Sequence, residues 1–429
     1  MKLVHPVTVA SALVVASLAA NAAANWPNYR GPKHDGVSAE KLPSTSWPAS
    51  GPHQVWKSPA AGGFSSITVA DRRAFTLVSR DSEGVKRETL VALDADNGRE
   101  LWAQPLAPAK YDGGGDSGTD NNKGGDGPRS TPTVNGDKVY TLDARFQLAA
   151  FDAASGKPIW NRDLAADHSA PKLAWQNAAS PVVEDGLIFV SCGGEGQGLL
   201  GIDKDSGKTV WKGQNDKMTH ATPVVTTILG QRQVIFFTQS GLVAVKPTDG
   251  AVLWRQEFPF KVSTAASPIV AGDIVYCSAG YGVGAGAYRI SKDGPGFKST
   301  ELWRKPNALQ NHWSTPVYFK GQLYGLFGFK DYGNCPLQCV DLATGEVRWS
   351  QAGFGPGNVT LVDGYLLVLG DAGQLVLVEA VPTGYKEKAK ADVLDGKCWS
   401  TPTFAGGRVY ARSTSESVCL DLNPKVALR

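Results

Sequence analysis

The chain has 429 residues, 42% hydrophobic and 19% charged, which supplies ample material for a core and excludes general disorder. Its formal net charge of +3, with no lysine- and arginine-rich run interleaved with aromatics, excludes a nucleic-acid partner of the kind that tracks a phosphate backbone. The 49 glycines and 26 prolines are spread along the chain and no helical periodicity is sustained, so many short strands joined by turns are expected.

At the N-terminus, MKLVHPVTVASALVVASLAANAAAN has a basic start, an apolar centre and small residues ending at Ala24, the layout of a cleaved secretory signal over 1–24. The apolar part is short for a membrane span and no second candidate follows, so a periplasmic or extracellular protein without a transmembrane segment is expected. No cysteine follows the leader, so a bacterial lipid anchor is not expected. Residues 25–52 read as an N-terminal extension and 53–429 as a single repeat domain.

Five segments repeat closely: LVALDADNGRELW, LAAFDAASGKPIW, LLGIDKDSGKTVW, LVAVKPTDGAVLW and LQCVDLATGEVRW. They end at Trp102, Trp160, Trp211, Trp254 and Trp349. Gly98, Gly156, Gly207, Gly250 and Gly345 stand four residues before each Trp, and Asp94, Asp152, Asp203 and Asp341 eight before it, with Lys246 in the fourth copy. A degenerate copy with an insertion ends at Trp303. The other half of the unit is a Ser/Thr-Pro step, as in STPTV, ASPVV, ATPVV, ASPIV, STPVY and STPTF, with weaker copies SSITV and NVTLV. Eight copies with a period of about 45 residues predict an all-β, eight-bladed propeller of four-stranded antiparallel blades. In STPTVNGDKVYTLDARFQLAAFDAASGKPIW, strand A is TPTV, B is KVYTL, C is QLAAFD and D starts near Ile159. The Asp accepts backbone hydrogen bonds across the C-to-D turn, the Gly supplies a positive φ and the Trp wedges between sheets. The last unit lacks a D strand with Trp, and the lone HQVWKSPA around Trp56 fits as that strand, closing the ring.

Four antiparallel strands put the A-to-B and C-to-D turns on one face and the B-to-C and D-to-A connections on the other. The first set are near copies, as scaffold turns are. The second set vary, from the long YDGGGDSGTDNNKGGDGP at 111–128 to KLAWQNA, DKMTH, GYGVGAG, ALQNHW and DGKCW, and function is grafted on such loops. Strand A lies innermost, so Trp175, Asn177, His220, His312, Trp313, Lys397 and Trp399 are expected at the channel mouth. The six histidines lack zinc spacing. Ser314 copies Ser130 and Ser400, which argues against a Ser-His nucleophile at His312. Asp116, Asp120 and Asp126 are weak oxygen ligands for calcium, without EF-hand spacing. The six cysteines select no disulfide pairing by their spacing, and Cys339 and Cys419 fall where other copies carry small residues, so they read as buried filler.

These units resemble the pyrroloquinoline-quinone (PQQ) enzyme-type repeats shared by quinoprotein alcohol dehydrogenases and the BamB outer-membrane assembly lipoproteins. WPNYRGPKHDGVS, GDGPRSTP, GYGVG, NHWSTP and DGKCWSTP resemble more specifically the secreted bacterial PQQ-like proteins, over nearly all of the chain after the leader. The resemblance implies an exported propeller and, if the cofactor is retained, PQQ with calcium. Trp175, Trp313 and Trp399 would then offer aromatic planes, Arg129 and Lys397 cations, and Asn177 with Asp126 ion ligands. The chain departs from the dehydrogenase pattern in having no adjacent Cys-Cys pair and in being much shorter. The reading that follows is a monomeric binding or interaction scaffold whose variable face takes a protein, glycan or small molecule. A PQQ- and calcium-dependent oxidoreductase is the alternative, and a carbohydrate-active enzyme a weaker one.

Overall fold

In a computed structural model, residues 25–109, 127–262, 264–328 and 335–423 can be described. They form eight antiparallel sheets arranged as an eight-bladed β-propeller. The second blade is representative, with strands Thr133–Asn135, Lys138–Leu142, Gln147–Asp152 and Pro158–Asp163 from the axis outward. Strands B and C are covered on both faces by neighbouring blades, so their apolar residues run on without alternation. In blade 7 the whole of Leu366–Leu367–Val368–Leu369 is buried. All six cysteines are buried thiols, as the filler reading of Cys339 and Cys419 expects.

The ring closes through His53–Pro59, which pairs antiparallel with Glu416–Asp421 as the outer strand of blade 8. One blade departs from four strands: Val37–Ser38, from the N-terminal extension, pairs parallel with Leu361 and Val362 of blade 7. Strand A also starts later than the TP step suggests. Pro132 has no N–H to give, and the Thr131 N–H donates sideways to Ser180 Oγ in the next blade at 2.9 Å. The same link recurs from Thr401 to Ser66, Ser66 to Thr131, Ser180 to Thr222 and Ser267 to Thr315, at 2.9–3.1 Å. The hydroxyls of Ser66, Thr131, Ser180, Thr222 and Thr315 are therefore inter-blade ties around the axis.

The Asp–Gly–Trp pattern forms a second tie at the periphery. Asp152 Oδ1 accepts the Ser155 N–H at 2.7 Å and Asp203 Oδ1 that of Ser206 at 2.7 Å, closing the C-to-D turns. Asp94 and Asp341 do the same for Asp96 and Thr344. A β-bulge then skips one D-strand residue before the Trp, sending Leu101, Ile159 and Val210 outward, where they are exposed, and turning the indole toward the next blade. There the Nε1–H donates to a turn carbonyl: Trp56 to Ala95, Trp102 to Ala153, Trp160 to Lys204, Trp211 to Pro247, Trp303 to Leu342 and Trp349 to Val381, at 2.8–3.3 Å. Trp254 differs, donating to Gln233 within its own blade at 2.6 Å. The cause is the insertion in the fifth copy, a long hairpin of Gly284–Asp293 and Gly296–Lys305 whose Arg304 guanidinium lies over the Phe258 ring instead.

Candidate functional site: an aromatic cavity at the channel mouth

The D-to-A connections converge on a cavity of about 200 Å³ at the mouth of the axis. The residue two before each inter-blade hydroxyl position faces it, so the repeat itself sets the lining. In blade order these residues are Phe64, Arg129, Ala178, His220, Ala265, Trp313, Gly357 and Trp399, and all but Gly357 border the cavity. The exception has a structural role. A Cβ at Gly357 would lie 1.8 Å from the Leu369 carbonyl oxygen, so blade 7 admits no side chain there, and its neighbours on either side in this register are Trp313 and Trp399. Their rings stack with centroids 4.5 Å apart, and Phe64 stacks on Trp399 at 5.0 Å.

The wall continues through His312, edge-on to Trp313 at 5.3 Å, then Tyr281, edge-on to His312 at 5.3 Å, then Trp175, stacked on Tyr281 at 6.5 Å. Six rings thus follow one another around the mouth. Indole N–H groups are anchored outside it: Trp399 Nε1 donates to Asp371 Oδ1 at 2.6 Å and Trp313 Nε1 to the Pro356 carbonyl at 3.2 Å. Burial pushes the Asp371 carboxyl up, against the opposing pull of the Trp399 hydrogen bond and the Lys397 charge. Lys397 Nζ sits 4.8 Å from the Trp399 ring centroid and does not border the cavity.

Arg129 is the one charged residue among the described residues lining the cavity. Its Nη1 donates to the Trp175 carbonyl at 3.2 Å, which joins cation and aromatic wall. Trp175 and Gln176 are both left-handed, at φ 59° and 57°. Asn177 maintains that turn: its Nδ2 donates to the carbonyls of Leu142, Asp143 and Ala179, and its Oδ1 accepts the Ala179 N–H. Asn177 is buried and outside the lining, so it positions Trp175 and is not placed to touch a ligand. Asn311 plays the same part before His312, donating to the Leu326 carbonyl and accepting from Tyr276 Oη.

His220 Nε2 donates to the Ala174 carbonyl at 2.9 Å, which fixes its tautomer because a carbonyl can only accept. Burial, with Arg129 nearby, pulls its imidazole down to about 4. Burial, with His220 nearby, pulls His312 down to about 3. Both rings are therefore neutral at pH 7. Ser314 is buried and Thr315 is one of the inter-blade ties, in line with their reading as scaffold.

The sequence pattern missed three aromatic lining residues. Phe64 stands in the same repeat register as Trp313 and Trp399, and an alignment on the hydroxyl position finds it. Tyr281 comes from the B-to-C connection of blade 5, GYGVG, which reads as a tight turn. Tyr29 comes from the extension, whose WPNYRG carried no structural reading. Asp116, Asp120 and Asp126 lie outside the described residues. Among the described residues no group of three or more His, Cys, Asp or Glu could hold a metal, and the described lining contains no carboxylate.

A calcium-bound quinone with several carboxylates asks for several cations and an acidic ion ligand. Among the described residues the lining offers one arginine and neutral histidines, which do not meet that demand. The paired carboxylates of glycoside hydrolysis are likewise not supplied by the described lining.

Residues 86–316 and 335–425 match the family model described as "Outer membrane protein assembly factor BamB". The BamB of Moranella endobia is 23% identical over 67% of this chain and 59% of its own length. Quinohemoprotein alcohol dehydrogenase ADH IIB of Pseudomonas putida is 32% identical over 29% of this chain and 17% of its own length. The chain therefore spans under two thirds of each of these relatives. Two solved structures share the fold. Quinohemoprotein alcohol dehydrogenase of Comamonas testosteroni has a TM-score of 0.65 at 12% identity, covering 94% of this chain and 82% of that one. BamB of Moraxella catarrhalis has a TM-score of 0.57 at 14% identity, covering 86% and 99%. With the family model matched over most of its length and eight such blades in its fold, the chain belongs to the BamB-like family of PQQ-repeat β-propellers.

Proposed function

We propose that this protein is an exported binding propeller that receives, in the mouth cavity, a small molecule or the terminal group of a glycan or protein partner. The observation that carries the reading is the run of six rings beside a single cation among the described residues. Flat apolar surface and one charge suit recognition of a planar or ring-shaped group, whereas no acid, base or nucleophile pair stands within the described lining. The variable connections around the mouth supply the remaining contact surface for a partner outside the cytoplasm. The assembly-factor description of the relatives supports a protein partner as one such ligand. Among the described residues no helix is long and apolar enough to cross a membrane.

The test titrates the protein with 2-naphthoate, a planar monocarboxylate, and separately with PQQ and calcium, following tryptophan fluorescence. Saturable quenching by 2-naphthoate is expected, about ten-fold weaker in Trp399→Ala and in Arg129→Gln. Affinity unchanged in both variants would remove the cavity from the reading. Micromolar PQQ binding together with dye-linked alcohol oxidation would replace it by the quinoprotein alternative.

A further inference from the structure

The N-terminal extension does not lie on the outside of the ring. Trp26 exchanges both backbone hydrogen bonds with Val69 of blade 1, at 2.7 and 3.0 Å, and the Pro27 carbonyl accepts the Val134 N–H of blade 2 at 2.8 Å. Arg30 then donates from Nη1 to the Thr315 carbonyl and from Nη2 to the Pro316 carbonyl of blade 6, each at 2.8 Å. The Gly36 carbonyl accepts the Leu361 N–H of blade 7 at 2.9 Å, and the Val37–Ser38 strand follows. Each contact is to an innermost strand or the TP step before one, so residues 26–38 cross the axis from blades 1 and 2 to blades 6 and 7. On the way Tyr29 borders the aromatic cavity.

We infer that residues 26–38 are a channel plug that makes the aromatic cavity one-ended, with Tyr29 setting its depth and Arg30 acting as the positioning residue that holds Tyr29 beneath Trp313. The inference rests on the binding reading above and narrows its ligand class. A ligand enters and leaves only by the variable-loop face, and it is a single ring-sized terminal group, aromatic or saccharide, not a polymer threaded along the axis. The small cavity agrees, being below the range of about 300–1,000 Å³ usual for drug-sized ligands.

The position of Arg30 gives it this role. Its guanidinium is buried, and its Nη acceptors are the main-chain oxygens of Thr315, Pro316 and Asp35. Two of those three residues follow directly on His312-Trp313-Ser314, so the same side chain ties the plug to the base of the aromatic wall. The fit leaves no slack. A Cβ at Gly36 would lie 2.8 Å from Val317 Cγ1 and 3.0 Å from Arg30 Nη2, and one at Gly31 2.9 Å from the Trp26 ring.

Two measurements on the full chain test the inference separately. The first is amide hydrogen exchange at Val69, Val134 and Leu361, whose N–H groups donate to plug carbonyls in blades that Arg30 does not itself touch. Arg30→Gln is expected to speed exchange at all three by about ten-fold or more while Leu90 and Ala149, inside the C strands of blades 1 and 2, stay protected. If Arg30→Gln does not fold, Arg30→Lys, which keeps the charge but not the forked geometry, is expected to give the same pattern more weakly. Unchanged exchange at the three amides would overturn the plug.

The second compares 2-naphthoate with the larger 1-pyrenecarboxylate. The wild type is expected to favour the smaller probe, and Tyr29→Ala to shift the ratio of affinities toward the larger by about ten-fold. An unshifted ratio would show that Tyr29 is not the floor. Binding of neither probe by the wild type would defeat the binding reading, and the exchange measurement would still decide the plug.

Discussion

His34 and His220 are buried imidazoles and His312 a half-buried one, and their surroundings supply cations, apolar rings and carbonyl oxygens. Burial, reinforced by Arg232 and Arg30, pulls His34 down to about 4, beside His220 at about 4 and His312 at about 3. An unfolded histidine takes up its proton near pH 6.5, so between pH 6.5 and 4 the unfolded chain binds protons that the folded chain excludes. Stability is therefore whole above about pH 6.5 and is lost as pH falls toward the folded values, by on the order of a few kcal/mol per histidine. Thermal unfolding followed from pH 7.5 to 4 should show this fall, and His312→Gln, which keeps a neutral polar group, should flatten it. From pH 6 to 8 neither cavity histidine changes charge, so 2-naphthoate affinity should be constant over that range. An affinity that rises toward pH 6 would show a histidine taking part as a cation. Legibility at this scale was partial. His220, His312, Trp313 and Trp399 were found because each precedes a TP step, whereas Lys397, two residues upstream of Trp399, turns onto the indole face and away from the cavity. The chain order of DGKCW contains nothing that separates the two outcomes, since both depend on where Asp371 stands.

The turn glycines test how the repeated elements hold one another. Gly156 has φ +72°, and a Cβ there would lie 2.6 Å from the Trp102 ring of the preceding blade; Gly98, Gly207, Gly250 and Gly345 meet Trp56, Trp160, Trp211 and Trp303 in the same way. Gly136, in an A-to-B turn at φ +62°, has nothing within 4 Å. Gly156→Ala therefore adds a clash to the backbone strain and is expected to cost about 2–4 kcal/mol, while Gly136→Ala bears the strain alone, about 1 kcal/mol. Denaturant melts of the two variants check the difference, and equal losses would mean that the indole does not pack on the turn. The conserved spacing of Asp, Gly and Trp made the turn visible in the sequence. The β-bulge was not visible: the skipped residue is Leu101, Ile159 or Val210 in three blades and Arg348 in another, because a residue pointing to solvent is under no constraint of type.

Closure makes the eight blades one cooperative body, since each blade is covered on both faces only while the ring is shut. Trp56 is buried on strand His53–Pro59 and donates to the Ala95 carbonyl of blade 1, so it joins the closing blade to its neighbour. Trp56→Ala is expected to cost about 3–5 kcal/mol and to lower the temperature of a single cooperative transition. Calorimetry checks this, and a transition that splits in two would show blades unfolding independently. The sequence by itself determined the number of blades, the closing strand, the scaffold face and the variable face, because each follows from a periodic pattern that any one copy states locally. Only the tertiary structure decided which side chains meet on the axis. The two contacts that build the site, Trp313 on Trp399 and Arg30 on the carbonyls of Thr315 and Pro316, join residues far apart in the chain. Their pairing is set by the curvature of the closed ring and by the path of the plug across it, and neither is written in any single repeat.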